Sequence, residues 1–389
     1  MFLFQKTLHD LKNKNRLRQL QPVGSASSDQ IVLGNKVLLQ FGSNNYLGLA
    51  DHPELKRAAT AAIEQFGVGM GASRCLSGNL FLYDLLEQKI ALLKQTEAAL
   101  VLNSGYTANL GVLGALIQKG DGVFSDRCNH ASLIEGCRHA GGMFRLYRHK
   151  EMDHLEALLA KRKPGQSAWI VTEGVFSMEG DIAPLPAIVA LAEKYDAMIY
   201  LDDAHATGVL GGQGGGTCDY FQINNRTRII QMGTLSKALG GFGGFVAGDN
   251  LLIQYLINRV HPFIYTTALP PALIAAAIAA MDWMAQHPKL RQQLLSNADY
   301  FRKNAAQMGW NVGKSETPIV PILVGDSETA VALSAQLDEA GIYVPAIRPP
   351  TIPKNTSRLR VTLMATHTQE QIDFLLTQLH VVRSKRRWN

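Results

Sequence analysis

The residues able to do chemistry sit in short polar stretches that follow apolar runs. Lys237 stands in Thr234-Leu235-Ser236-Lys237-Ala238, with Gly240 and Gly241 just beyond. A lysine normally reaches for solvent. Among small residues and glycines it can be buried, lose basicity and act as an amine nucleophile. Asp202, Asp203 and His205 follow the apolar run 197–201, which puts an acid and an imidazole at one strand end. Asn129 and His130 follow the run 122–125. Ser104, Gly105 and Tyr106 open a helix directly after the run 99–102. Unpaired N–H groups at such a helix start can receive a phosphate. Each stretch also has a plainer reading by itself: a solvated turn lysine, a capping acid, a structural histidine, an N-cap serine.

Together these stretches describe one cofactor. A helix N-terminus holds a phosphate, an aspartate faces a ring nitrogen, a histidine lies over a flat ring and a lysine binds an aldehyde carbon. That set matches pyridoxal 5'-phosphate (PLP). Nucleotide motifs fail by comparison. No G-x-G-x-x-G stretch opens a helix, and Gly309 to Ser315 is one residue short of a phosphate-binding Walker loop. No cysteine pair or His/Cys cluster has metal spacing, so no metal is expected. The four cysteines, 75, 128, 137 and 218, are expected as free thiols.

The elements that must position these residues alternate. Leucine spacing predicts a first helix over 7–20, ended by Pro22, and a strand pair 30–33 and 37–41 joined through Gly34-Asn35. Helical spacing covers 53–65, 82–93, 106–118, 131–139, 151–161 and 184–194. Apolar runs at 99–102, 122–125, 143–147, 168–171, 197–201, 228–232 and 244–247 lie between or after them. Alternation of this kind predicts an α/β fold with a mostly parallel central sheet covered on both faces. Beyond about 250, helices 250–258, 270–285, 287–307, 328–340 and 368–382 with short strands predict a smaller α+β domain. The expected division is 1–45 as an N-terminal helix and short strands, 46–280 as the large cofactor-binding domain, and 281–389 as the small C-terminal domain.

The composition agrees. With 389 residues, 47% of them apolar and 18% charged, the chain can bury a large core and is not a disordered one. The net charge of +6 is too mild to argue for nucleic acid. Met-Phe-Leu-Phe is interrupted by Gln5 and Lys6, and the stretch 268–281 contains Pro270 and Pro271, so neither a signal peptide nor a membrane span is read. A cytoplasmic protein is expected. Glycine, 35 of the 389 residues, is the one mild excess, and it concentrates where elements meet.

With these motifs in hand, the sequence resembles the α-oxoamine synthases, a family of fold-type I PLP-dependent transferases (aspartate aminotransferase-like). The likeness runs in order through Ser43-Asn-Asn-Tyr-Leu-Gly-Leu49, Ser104-Gly-Tyr-Thr-Ala-Asn109, Asn129-His-Ala-Ser132, Thr172-Glu-Gly-Val-Phe-Ser-Met-Glu-Gly-Asp181, Asp202-Asp-Ala-His205, Thr234-Leu-Ser-Lys237, Arg358-Leu-Arg360 and Ala365-Thr-His367. The stretch Ala346-Ile-Arg-Pro-Pro-Thr-Ile-Pro353 is similar to the branch that condenses L-alanine with a pimeloyl thioester in biotin synthesis. That branch releases CO2 and forms 8-amino-7-oxononanoate. Glycine-using or serine-using members are the alternatives, then a non-catalytic relative, which would be expected to lack Lys237. Two positions depart from the family: Tyr83 where many members have histidine, and Ser236 where many have glycine.

The resemblance implies residue roles. Lys237 would bind the cofactor and then serve as the base at the alanine Cα. Asp202 would keep the ring nitrogen protonated, His130 would stack on the ring, His205 would hydrogen-bond the ring oxygen, and Ser177 would lie beside the ring. Ser104, Gly105, Tyr106 and Thr234 would hold the phosphate region. Asn44 and Arg360 would clamp the alanine carboxylate, and Arg18 and Thr351 would contact the acyl substrate. The segment Tyr265-Thr-Thr267 would come from the second subunit of a homodimer and bring Thr267 to the cofactor. Lys385, Arg386 and Arg387 form a basic tail, which could steer an acidic acyl carrier protein if the acyl group arrives on one instead of on coenzyme A.

Overall fold

The computed structural model describes residues 2–14, 16–18 and 20–385. Arg386 and Arg387 of the basic tail lie outside the described residues, as does the side chain of Lys385. The strands in chain order are β1 (Gln30–Leu33), β2 (Lys36–Gln40), β3 (Ala98–Leu102), β4 (Gly122–Asp126), β5 (Met143–Tyr147), β6 (Ala168–Glu173) and β7 (Ala197–Asp202). They continue with β8 (Ile229–Thr234), β9 (Gly244–Gly248), β10 (Ile319–Gly325), β11 (Ile342–Tyr343), β12 (Ala346–Ile347) and β13 (Ser357–Thr362).

The chain divides into two compact units, and each is described by itself. The larger comprises 49–177 and 182–291. Its sheet has seven strands in the order β3-β9-β8-β7-β6-β4-β5. Strands β5, β4, β6, β7 and β8 run parallel, while β9 is antiparallel to both β8 and β3. Residues of β6 and β8 are buried throughout, as continuous apolar runs covered on both faces must be. Edge strand β5 shows most of its side chains to solvent.

Helix Gly105–Leu116 is apolar on nearly every side and packs Ala108, Val112 and Leu113 with Val123, Trp169 and Tyr200 on one face of the sheet. Helices Met152–Ala160 and Leu185–Lys194 bring Leu155 and Ile188 against Phe124, Ile170 and Ile199 on the other face. Helix Pro53–Phe66 opens on a proline at its first position, where the missing N–H costs nothing.

The smaller unit comprises 1–48, 178–181 and 292–389. Two three-stranded sheets, β1-β2-β11 and β10-β13-β12, share a core of Phe41, Phe301, Val320, Leu333, Leu359 and Leu375. The boundaries differ from those expected at 45/46 and 280/281. Residues 1–48 do not stand apart, because β2 pairs with β11 through Leu39↔Ile342. Residues 178–181 join this unit because the Gly180 carbonyl accepts from the Glu316 N–H and the Thr317 hydroxyl. Pairing between distant segments of chain leaves no mark in a local pattern. The first helix spans Phe2–Asn13 instead of 7–20. It closes with the Arg16 N–H donating to the Leu11 carbonyl, a turn that ends the helix before the last leucines.

Candidate active site

The parallel strands of the larger unit end on one edge. Register places Glu173 beside Asp202, Asp202 beside Met232, and Thr234 beside Gly244. Ligands in open α/β sheets bind beyond such carboxyl ends. A cavity of about 220 Å³ lies here. Ser104, Gly105, Tyr106, His130, Asp202, His205, Thr234 and Lys237 line it, together with Asn109, Ser132, Glu173, Ala204, Met232 and Ser236.

One wall is a helix start. Ser104 accepts from the Thr107 N–H at 3.1 Å while the Thr107 hydroxyl accepts from the Ser104 N–H at 3.1 Å, a reciprocal cap. That cap leaves the N–H groups of Gly105 and Tyr106, the first two of the helix, directed outward for an anion. The wall is kept close by glycine. A Cβ on Gly244 would stand 2.6 Å from the Ser104 carbonyl carbon and 2.7 Å from the Gly105 nitrogen. Thr234 lies beside it, its hydroxyl donating to the Gly243 carbonyl at 2.8 Å and paired with Ser236 at 2.7 Å.

The floor is polar and buried. One oxygen of Asp202 accepts from Asn109 Nδ2 at 2.7 Å and the other from the Ala204 N–H at 2.9 Å. Asn109 also donates to the Ser132 hydroxyl at 2.8 Å and accepts from the Tyr200 hydroxyl at 3.0 Å. Burial pushes the Tyr200 hydroxyl well above its ordinary pKa, with Asp202 adding to the effect, so Tyr200 stays a neutral donor. Lys237 Nζ lies 2.8 Å from His205 Nε2. His130 caps helix Ala131–His139 through Nδ1, 2.8 Å from the Ser132 hydroxyl. Loss of water around its ring lowers the His130 pKa, opposed by Asp202. His130 is therefore a neutral, flat surface at neutral pH.

The donor set fits PLP. Two backbone N–H groups and Thr234 suit its phosphate, Asp202 suits a protonated ring nitrogen, and Lys237 suits its aldehyde carbon.

The remaining expected residues lie elsewhere. Ser177 does not line the cavity; its N–H donates to Glu173 Oε2 at 3.2 Å. The Thr267 carbonyl accepts from Asn103 Nδ2 at 2.9 Å, and Thr267 does not line the cavity of this single chain. In the smaller unit, Arg360 Nη1 donates to Asn44 Oδ1 at 3.1 Å and to the Thr362 hydroxyl at 2.9 Å. In the same unit, Arg18 donates to the Thr351 hydroxyl at 3.2 Å. Tyr83 is buried, and its hydroxyl accepts from the Leu269 N–H at 2.8 Å, so the departure from histidine keeps a polar anchor for that segment.

Asn109 and Glu173 were not singled out from the sequence. Asn109 lies four residues after Gly105, on the same helix face, a spacing that could have flagged it. Glu173 closes an apolar run and reads as a strand-end cap. Away from the cavity, donor atoms of Asp126, Cys128 and His149 lie within 4.8 Å of one another. Asp126 already accepts from the N–H groups of Cys128 and Lys150 and pairs with His149, so the cluster ties two loops together.

The model of the family described as aminotransferase class I and II matches residues 36–379. An 8-amino-7-oxononanoate synthase of Geobacter sulfurreducens is 48% identical over 369 residues, 94% of each chain. A serine palmitoyltransferase structure from S. paucimobilis, with bound PLP-myriocin aldimine, superposes with a TM-score of 0.93 at 30% identity over 98% of this chain and 97% of that one. The structure of an 8-amino-7-oxononanoate synthase from Francisella tularensis superposes with a TM-score of 0.78 at 28% identity, over 90% and 98%. These likenesses bear out the expected fold-type I architecture. The chain belongs to the aminotransferase class I and II family, within the α-oxoamine synthase branch that its motifs resemble.

Proposed function

We propose that this protein uses PLP to condense L-alanine with a pimeloyl thioester, releasing CO2 and the thiol and giving 8-amino-7-oxononanoate. The observation that carries this reading is 48% identity, over 94% of both chains, to a synthase named for that product, joined to a cavity in which Lys237, Asp202, His205 and the Gly105 helix start converge. The TM-score to serine palmitoyltransferase is higher than to the Francisella synthase, but that likeness comes at 30% identity and speaks for the shared fold.

PLP supplies an electron sink for the negative charge that develops at the alanine Cα. The chain supplies the rest. Gly105 and Tyr106 N–H groups and Thr234 would anchor the phosphate. Asp202, held by its two hydrogen bonds, would stand against the ring nitrogen. His205, 2.8 Å from Lys237 Nζ, orients the amine and shares its proton. Lys237 would hold the cofactor's aldehyde carbon and would serve as the base for the alanine Cα proton. His130 would cover the ring face, and Ser177 steadies the wall through Glu173. Arg360, held by Asn44 and Thr362, receives the alanine carboxylate, for which a planar guanidinium fork is suited. Arg18 and Thr351 contact the acyl chain. The protein works as a homodimer in which Thr267 serves the partner's site. Among the described residues no helix is long and apolar enough to cross a membrane.

The test is a product assay. L-Alanine, glycine and L-serine are each combined with pimeloyl, acetyl and palmitoyl thioesters on coenzyme A and on acyl carrier protein, and products are identified by mass. Formation of 8-amino-7-oxononanoate from L-alanine and a pimeloyl thioester, abolished by Lys237→Ala, is the expected result. Preference for another pair overturns the reading.

A further inference from the structure

Two carboxyl groups meet at the cavity floor, and only one of them has its hydrogen bonds filled. Glu173 and Asp202 are register partners at the ends of β6 and β7, so their side chains leave the same sheet edge. Both are buried, at 2% and 4% exposure, and both line the cavity. Asp202 accepts from two donors, one on each oxygen. Glu173 accepts from the Ser177 N–H on Oε2, and the His130 backbone N–H also acts on its carboxyl, while the buried Oε1 makes no hydrogen bond of full geometry. Glu173 is also the one glutamate among the described residues that is buried.

We propose that Glu173 is a positioning residue of this site: an uncharged carboxylic acid whose Oε1–H donates to an acceptor oxygen brought by the bound cofactor or substrate, leaving Asp202 as the single negative charge on the floor. Two ionised carboxylates sharing one desolvated site repel, and the one with fewer donors takes the proton. An orphaned carboxylate oxygen would carry the full penalty of an unpaired buried charge, whereas an O–H there waits for an acceptor. The charged and titratable groups around Glu173 are Asp202 on β7, Lys237 and His205 on the turns after β8 and β7, and His130 at its helix cap. Burial first, and Asp202 second, hold the Glu173 carboxyl well above the usual carboxylate range, with Lys237 and the backbone N–H groups of His130 and Ser177 opposing. One negative charge then meets one ring N–H, and a second does not compete for the lysine.

The inference rests on the reading of this cavity as the PLP site, but its test does not depend on turnover. The holoprotein is labelled with ¹³C at glutamate side-chain carboxyls, and isotope-edited infrared spectra are recorded from about pH 6 to about pH 9, well above the ordinary glutamate pKa. The expected result is one protonated-carboxyl band that persists across the range and is missing in Glu173→Gln. No such band in the wild-type protein overturns the proposal, whether or not any variant folds. A second readout is the dissociation constant for PLP. Glu173→Ala should bind PLP about tenfold more weakly than Glu173→Gln, which keeps a hydrogen-bond donor, and the glutamine variant should keep the wild-type pH dependence. Equal weakening in both variants, or loss of one limb of that dependence in the glutamine variant, overturns it. Failure of the product assay with the band present would overturn the assigned reaction and leave this inference standing.

Discussion

Lys94→Met should be among the most damaging single changes outside the cavity. Lys94 and its partner Asp203 both have fully buried side chains, with Nζ 3.0 Å from Oδ2. Nζ also donates to the Gly215 carbonyl at 2.7 Å. Asp203 holds the strand-end segment in several places. It accepts from the Thr217 N–H at 3.1 Å and from the Thr217 hydroxyl at 2.6 Å. Its backbone N–H donates to the Met232 carbonyl, and its own carbonyl accepts from Ala206 and Thr207. Gly216 fits between the pair at φ 97°, where a Cβ would stand 2.1 Å from Asp203 Oδ2. Removing the lysine charge leaves a buried carboxylate uncompensated, which costs about 3–5 kcal/mol. The two Thr217 donors pull the value toward the lower end, and the orphaned Gly215 carbonyl pulls it up.

At about 2–4 °C per kcal/mol for a unit of this size, thermal unfolding should fall by roughly 6–20 °C. Differential scanning calorimetry on wild type, Lys94→Met and Lys94→Met/Asp203→Asn measures it. The double variant, having lost the stranded charge, should recover at least about 1 kcal/mol of the loss. Because Asp203 anchors the segment between Asp202 and His205, kcat should fall in Lys94→Met more than KM rises. A loss below about 1 kcal/mol, the size found for an exposed pair, would refute the reasoning.

Other outcomes follow from single contacts. Arg360→Lys replaces a planar fork by a point charge. KM for L-alanine should rise about tenfold to a hundredfold with a smaller change in the acyl-donor KM, as steady-state kinetics on both substrates would reveal. His367 is buried. Its Nδ1 accepts from the Met364 N–H and its Nε2–H donates to the Gln40 carbonyl, each at 3.0 Å. Burial lowers its pKa to about 4. Because the folded value lies below the unfolded one, near 6.5, its contribution is fully present above about pH 6.5 and is lost as pH falls through about 4. The size is about 3 kcal/mol, and His367→Asn should flatten that limb of urea stability against pH.

Much of the site was legible in the sequence because its residues stand next to signals of another kind. Lys237, Asp202, His130 and Ser104 each follow an apolar run, and strands of a parallel sheet end on one edge, so strand-end residues converge without any knowledge of strand order. Glycine at 105 and 244 marked close backbone approach. Asn109 was missed because it lies inside a helix. Glu173 ends its strand just as Asp202 does, but the polar Thr172 separates it from the apolar run 168–171, whereas Asp202 follows its run directly. The partition of the chain was illegible for a different reason, since β2 meets β11 across about three hundred residues.

The sequence by itself determined the elements, the strand-end chemistry and the family, because period, apolar runs and local motifs are properties of neighbouring residues. The tertiary structure decided which groups share water-free space. It set Glu173 against Asp202, buried Lys94 with Asp203, and placed the Gly105 and Tyr106 N–H groups at a helix start on the cavity wall. Charge state and hydrogen-bond satisfaction depend on desolvation and on partners distant in sequence, and those exist only once the chain has folded.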